Sequence, residues 1–454
     1  MKTFHLPLDS KRSHKEKKYF STVQLKLPKL RFGPTSPLHY SPKPSIPHFK
    51  PCIFLPASPK THVQMTNSTF LDDLIKRHKS LSPIRLNEEF LHSKKPEIFL
   101  RWSKLQATGQ YPESRSGAIL LPFKKTFFLL SGERSDPVSD LFCLPYSSLI
   151  WEKKRINTSE APTAFRCTVS VAYKDYIIVY GGYDYYDGRL NIRSCSSLLY
   201  YFSTLNQTWK SYKSNGNVPE PRRNHSGCLL GDSLIIFSGQ NSCGNYLQDT
   251  QILDLKTLAW LTFDLKGTLP ASRIKSSLTS IYPVHLQHSP GFSIFSRSES
   301  DEHPYNGVYL FGGKGENGEI FNELFILRNK SSGKKTRFRV LYWSVAEVGQ
   351  GPIGRYDHSA GFIGKFYIIF SGRNDTLGVA ALNDLHLFNV HEQKWQNTVI
   401  HGEVPSPRFG AACAVMDSKL IIFGGMSLQG FVSGAIFELE TSQKKLNDFL
   451  NTEC

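Results

Sequence analysis

The sequence predicts an all-β fold, a six-bladed propeller, on three observations. Tryptophans stand at 102, 151, 209, 260, 343 and 395, at spacings of 49, 58, 51, 83 and 52 residues. An arginine follows each of them, at 115, 166, 222, 273, 355 and 408, and a Ser-Gly or Gly-Gly pair comes next. Apolar runs such as Leu234–Phe237, Phe366–Phe370 and Leu420–Phe423 lie immediately before those pairs. A period near 50 residues, with one aromatic anchor and one glycine turn per unit, is what one four-stranded blade per repeat requires.

Within each unit the elements come in a fixed order. The inner strand follows the arginine, and the second strand ends at the glycine pair. From Arg to the second residue of the pair is 17 residues in the units ending at Gly132, Gly239, Gly372 and Gly425, and 16 in the unit ending at Gly182. In the fourth unit the distance is 40, so an insertion is expected around Pro283 to Asn306. Pro112, Pro219, Pro270, Pro352 and Pro405 stand three residues before their arginines; the second unit has Pro162, one residue off, and the first is degenerate around Pro122 to Lys125. The glycines let the backbone turn where a side chain would collide. Third strands are marked by Asp140-Leu141-Phe142, Glu323-Leu324-Phe325 and Asp384 to Phe388, and the tryptophan marks the fourth. The last unit has a third strand at Ala435 to Leu439 but no tryptophan after it, while Trp102 has no unit before it. The strand around Trp102 is therefore expected to complete the last blade and leave the ring without a free edge.

These residues, from 102 to about 440, resemble the Kelch repeat: a glycine pair, an aromatic-rich strand and a tryptophan at a fixed later position. The chain departs from that pattern where Ser-Gly replaces Gly-Gly. The resemblance implies a non-enzymatic interaction scaffold or adaptor that holds a protein partner in its propeller loops. It also covers the substrate-recognition subunits of ubiquitin ligases, and metal-dependent enzymes that use copper with tyrosine ligands, or iron with a carboxylate and His group, at the channel mouth. Neither ligand pattern assembles in this sequence, and no cofactor is expected. The run Gly312-Gly313-Lys314-Gly315 falls in a turn between strands and reads as turn chemistry, not as a phosphate cradle.

Charge divides the chain. Of a net +17 over 454 residues, +11 belongs to residues 1–100, and ten of the 26 prolines lie in the first 60. Residues 1–95 are expected to form a basic, Pro/Ser-rich disordered tail with one short helix at 69–79, residues 96–445 the propeller, and 446–454 a C-terminal tail. Ser36-Pro37, Ser41-Pro42, Ser58-Pro59 and Ser82-Pro83 have the form of proline-directed kinase sites. No apolar run approaches the ~18 residues of a membrane span, and Met1 to Leu8 lacks the pattern of a secretory leader. Eight cysteines form no CxxC pair, which suits reduced thiols in a cytoplasmic, nuclear or cytoskeleton-associated monomer. The basic excess points to a protein partner with an acidic or phosphorylated segment. Nucleic acid ranks below it, because no zinc module or RNA-recognition signature accompanies the charge.

Antiparallel strands place the Pro-x-x-Arg link and the link between second and third strands on one face of the disc. On that face falls Tyr183-Asp184-Tyr185-Tyr186-Asp187-Gly188-Arg189, an enlarged loop whose aromatics suit recognition. Tyr183, Tyr185, Tyr186 and Arg189 are the candidate partner contacts. Arg115, Arg166, Arg222, Arg273, Arg355 and Arg408 form a second set, either ringing the channel mouth to receive an anion or holding their own blades through loop carbonyls and local pairs. His225 and His358, three residues after an arginine each, are read as structural. Both insertions of the fourth unit, including Arg328, Lys330, Lys334, Lys335, Arg337 and Arg339, are assigned to the opposite face.

Overall fold

The computed structural model describes residues 98–442 apart from 135–139, 156–159, 163–167, 188–191, 282–304, 330–339, 377 and 379–380. The expected basic tail, its helix at 69–79, the Ser-Pro pairs, the C-terminal tail and most of both blade 4 insertions lie outside the described residues.

Six antiparallel sheets follow in chain order. Blade 1 comprises Ile119–Phe123, Thr126–Leu130, Leu141–Pro145 and Ile150–Lys154, and blade 2 comprises Val169–Tyr173, Tyr176–Tyr180, Leu199–Ser203 and Thr208–Tyr212. Blade 3 is Ser226–Leu230, Ser233–Phe237, Thr250–Asp254 and Ala259–Trp260; blade 4 is Ser277–Ile281, Gly307–Phe311, Leu324–Asn329 and Val340–Val345. Blade 5 is Ser359–Ile363, Phe366–Gly372, Leu382–Asn389 and Lys394–Gln396. Blade 6 takes Ala412–Met416, Lys419–Phe423 and Ile436–Ser442 from the end of the repeat region and Ile98–Leu105 from its start.

The strand patterns follow from what each strand faces. Inner strands alternate, as in Ser226–Leu230, where every second residue is buried. Second strands are buried throughout, as in Ser233–Phe237, because both faces of the sheet pack on a neighbouring blade. The core is accordingly not one mass: among the described residues it forms six apolar clusters, one at each interface between blades. Each tryptophan serves the interface with the preceding blade. Trp151 meets Phe423, Trp260 meets Tyr180, Trp343 meets Phe237, Trp395 meets Phe311 and Trp102 meets Phe370, at ring separations of 5.7, 5.2, 5.6, 6.0 and 4.8 Å. Those partners are the last aromatic of a second strand, just before the Ser-Gly or Gly-Gly pair, which explains why the two signals share one period.

Ring closure uses the strand around Trp102. It pairs antiparallel with the third strand of blade 6, from Phe99 opposite Ser442 to Leu105 opposite Ile436. On its other side Thr398–Gly402 runs parallel to it. Such a fifth strand also flanks blades 1, 3 and 4, at Thr108–Gly109, Asn215–Gly216 and Asp264–Gly267. Gly109, Gly216, Gly267 and Gly402 each stand seven residues after a tryptophan, with φ between 79° and 88°. A Cβ there would fall against the carbonyl oxygen of Trp151, Trp260, Trp343 or Trp102, so only glycine admits this approach. Blade 6 is joined to blade 1 by Lys419, which donates to Glu438 at 2.7 Å and to the Tyr146 hydroxyl at 3.0 Å.

Removal of residues 1–105 should expose the edge of Ile436–Ser442, leave the Trp102 socket empty and lower the unfolding midpoint markedly; losing Trp102 alone is worth about 3–5 kcal/mol. Removal of residues 1–95 should leave the midpoint unchanged. Thermal unfolding followed by circular dichroism checks both.

Candidate functional site on the arginine-bearing face

The repeated arginines act as clasps. Arg115, Arg222, Arg273, Arg355 and Arg408 are 0–2% exposed. In each, Nε donates to the carbonyl two residues earlier: Glu113, Glu220, Ala271, Ile353 and Ser406. One terminal nitrogen donates to the carbonyl of the first residue in the glycine pair: Ser131, Ser238, Gly312, Ser371 and Gly424. Four of the five also bind an acid at the start of the third strand: Asp140, Asp249, Glu323 and Asp384. The arginine's own carbonyl reaches the preceding blade, accepting from Gly425, Gly182, Gly239, Gly313 and Gly372 respectively, at 2.8–3.2 Å. The expectation that these side chains ring the mouth as anion receptors is therefore corrected for Arg115, Arg222, Arg273 and Arg355, whose donors are satisfied inside the fold. Arg166 lies outside the described residues.

Arg408 differs from its counterparts. The residue before the third strand of blade 6 is Ala435, so no carboxylate stands where Asp140, Asp249, Glu323 and Asp384 stand. Among the described residues no ion pair reaches its guanidinium, whose second terminal nitrogen donates only to the Ser406 hydroxyl, at 3.0 Å. Burial without an acid draws its pKa down to about 10. Beside it lies a cavity of about 580 Å³, lined in part by Ala381, Ser406, Pro407, Phe431, Val432 and Ser433. Its rim is the short hairpin Met426–Ser427 with Gly430–Phe431, which exposes Leu428 (72%) and Phe431 (40%).

At the channel mouth the second residue after five of the six arginines adopts a left-handed conformation, with φ of 52° to 63° at Gly117, Asn224, Lys275, Asp357 and Gly410. Their backbones form a chain around the axis: Lys275 donates to Asn224, Asp357 to Lys275, Gly410 to Asp357 and Gly117 to Gly410. A side-chain ion pair between Lys275 and Asp357 lies on this belt.

His225 and His358 occupy the next position and wedge between blades. His225 lies edge-on to Tyr180 and His358 to Phe311, at 5.8 and 5.5 Å. Room for them comes from Gly181 and Gly312: a Cβ at either would fall 2.5 or 3.0 Å from the imidazole Cε1. Where the pair is Ser-Gly, the facing residue is small, as with Ser276 opposite Ser238 and Ala411 opposite Ser371. The Ser277 hydroxyl lies 2.8 Å from His358 Nε2 and 2.7 Å from the Tyr367 hydroxyl. Burial lowers the pKa of both histidines to about 3, so they are neutral wedges and not acid–base groups at neutral pH.

The Tyr-rich segment is a hairpin, not an open loop: Tyr183–Asp187 pairs with Ile192–Cys195. Tyr183 is buried, with the Arg223 guanidinium 6.0 Å from its ring centre, and is corrected as a contact residue. Tyr185 and Tyr186 lie on the first strand of the hairpin. Arg189 lies outside the described residues. Among the described residues no group of three or more His, Cys, Asp or Glu side chains is gathered to hold a metal, and no helix is long and apolar enough to cross a membrane.

This arrangement of six arginine-started blades closed by an N-terminal strand defines a Kelch-type propeller. The family model described as the KLHDC2/KLHL20/DRC7 Kelch-repeats domain matches residues 91–285 and 301–452, and the chain belongs to that family. It is 27% identical over 263 residues to Kelch domain-containing protein 3 of Rattus norvegicus, covering 57% of this chain and 60% of that protein, with the same figures for the Homo sapiens protein. It is 27% identical over 228 residues to Acyl-CoA-binding domain-containing protein 6 of Oryza sativa subsp. japonica, covering 49% of this chain and 30% of that one. The chain thus spans about three-fifths of the first relatives' length and under a third of the last. A solved chain described as the structure of YjhT shares the fold, with a TM-score of 0.54 at 12% identity, covering 73% of this chain and 98% of that one.

The two histidines give a pH dependence of stability. Their folded pKa values lie below the unfolded value of about 6.5, so the unfolded chain binds more protons between the two. Their stabilisation is complete above about pH 6.5 and declines as pH falls toward 3. Replacing both by glutamine should flatten the fall in unfolding free energy measured between pH 6.5 and 4.5; an unchanged slope would contradict the assignment.

Proposed function

We propose that this chain is a non-catalytic scaffold that holds a protein partner on the arginine-bearing face of its propeller. The observation that carries this reading is the blade 6 groove, where a cavity of about 580 Å³ adjoins the exposed Leu428 and Phe431 on a short hairpin. Exposed apolar side chains beside a concave polar-lined site are the usual composition of a recognition surface. The hairpin Tyr183–Asp187 with Ile192–Cys195 links the second and third strands of blade 2, as the Met426–Phe431 hairpin does in blade 6, and is the second candidate contact region. The histidines at the mouth are neutral and packed, which favours binding over acid–base chemistry. The basic segment before residue 96 adds a salt-sensitive contact to an acidic partner.

Affinity purification with mass spectrometry tests this on the full chain and on a version beginning at residue 96, washed at low and high salt. A partner set that stays with the shorter version through high salt, and is depleted several-fold by joint replacement of Leu428 and Phe431 with serine, is expected. Partners that disappear with the first 95 residues would contradict a propeller-based reader. Recovery of a cullin or its adaptor would narrow the scaffold to substrate recognition in a ubiquitin ligase.

A further inference from the structure

We propose that the blade 6 groove recognises an acidic side chain of an extended partner segment, with Arg408 as its counter-charge and Leu428 and Phe431 gripping apolar neighbours. This rests on the scaffold reading and names the chemistry of its site.

The inference comes from comparing the blades with one another. In blades 1, 3, 4 and 5 the clasp arginine meets an aspartate or glutamate, 17–44% exposed, one residue before the third-strand residue that pairs with the end of the second strand; blade 2 has Leu198 there and its arginine lies outside the described residues. Register fixes the equivalent residue in blade 6. Leu141, Thr250, Leu324 and Leu385 pair with Leu130, Phe237, Phe311 and Phe370, the last apolar residues of their second strands. Ile436 pairs with Phe423 in the same way, which puts Ala435 at the acid's place. All other bonds of the clasp are kept at Arg408, including those to the Ser406 and Gly424 carbonyls and the 5.3 Å approach to the Phe437 ring. Only the carboxylate is missing.

A buried cation without a counter-ion is costly, and an acid delivered from outside relieves that cost through charge-assisted hydrogen bonds. The groove adjoins the vacated position. Ser406, whose hydroxyl accepts from Arg408, lines it, as do Val432 and Ser433 immediately before the Gly434-Ala435 step. Ser406, Ser427 and Ser433 line the groove with hydroxyls already bonded to Arg408, Gly430 and Ala435, and the Leu428–Phe431 rim supplies apolar contact. Carboxylate and phosphate share the oxyanion chemistry that Arg408 lacks; the geometry of the other clasps favours a side-chain carboxylate.

The test is selection of peptides from a random 12-residue library, displayed internally so that no free terminus is presented, on the full chain. Selected sequences should be enriched in Asp or Glu beside apolar residues. Synthetic capped versions should bind about tenfold or more weakly when the acid becomes its amide; a phosphoserine version that binds more tightly than the aspartate would assign the site to phosphate and overturn the carboxylate assignment. Ala435→Asp installs the intramolecular acid. It should raise the unfolding midpoint and abolish binding of the acidic peptides, and the Leu428→Ser/Phe431→Ser protein should lose the same peptides with its midpoint unchanged. Selected peptides without an acid, or peptides that bind Ala435→Asp as well as the native protein, would overturn the proposal while leaving the scaffold reading in place. A library that yields no binder at all would overturn both.

Discussion

A buried guanidinium at the start of the inner strand, described in five of the blades, is the interaction on which this architecture depends. Its nitrogens tie the entry of the inner strand to the glycine turn and, in four of the five described cases, to the start of the third strand, while its carbonyl accepts from the preceding blade. A single residue thus fixes three elements of its own sheet and the position of the sheet beside it. Lysine could not do the same, because its donors radiate from one nitrogen, whereas these acceptors are reached by three nitrogens held apart in one rigid plane. The cost of burying the charge is met where an acid and carbonyls satisfy it together, and among the described arginines Arg408 has carbonyls but no acid.

Packing reinforces this backbone frame at each interface. A tryptophan from one blade sits on the last aromatic of the second strand in the blade before, and the interfaces between them hold the apolar core. Small residues set how closely the blades meet. Glycines seven residues after a tryptophan let a fifth strand lie against the next blade's outer strand. Gly181 and Gly312 make space for the His225 and His358 rings, whereas Ser238 and Ser371 use their hydroxyls to bond the next blade at Arg273 and Arg408. The two Gly-Gly pairs of blades 2 and 4 thus face histidines, while for Gly424-Gly425 of blade 6 the equivalent residue is Ala118, which has no such need of space.

The blade count, the strand order and the closure through Trp102 were legible because they rest on local periodicity: a tryptophan, an arginine and a glycine pair recur at spacings no other fold class explains. The partners of the arginines were less legible. Asp140, Glu323 and Asp384 were visible as markers of third strands, but their pairing depends on register between strands 25 to 50 residues apart. Aligned at the residue before the one that pairs with the end of the second strand, four units carry an acid and two do not: Leu198 stands there in blade 2 and Ala435 in blade 6. The glycine seven residues after a tryptophan was also present in four units and went unread, since its reason is a contact with another blade. The burial of a tyrosine cannot be read from composition: Tyr183 lies under Arg223, while Leu428 and Phe431, unremarkable in sequence, stand exposed.

Function on this scaffold follows from what the repeat leaves unused. Where the described clasps are complete, the arginine-bearing face offers satisfied backbone and neutral histidines; at Arg408, which has no ion pair among the described residues, a groove with an apolar rim lies beside Ser406 and Pro407. The most direct measurement of the underlying claim is a double-mutant cycle on the complete clasp of blade 5, using Arg355→Met, Asp384→Asn and their combination in denaturant unfolding. A coupling energy above about 1.5 kcal/mol is the predicted result, as for a desolvated charge-assisted pair. Effects that add within about 0.5 kcal/mol would contradict the clasp and, with it, the significance of the acid missing from blade 6.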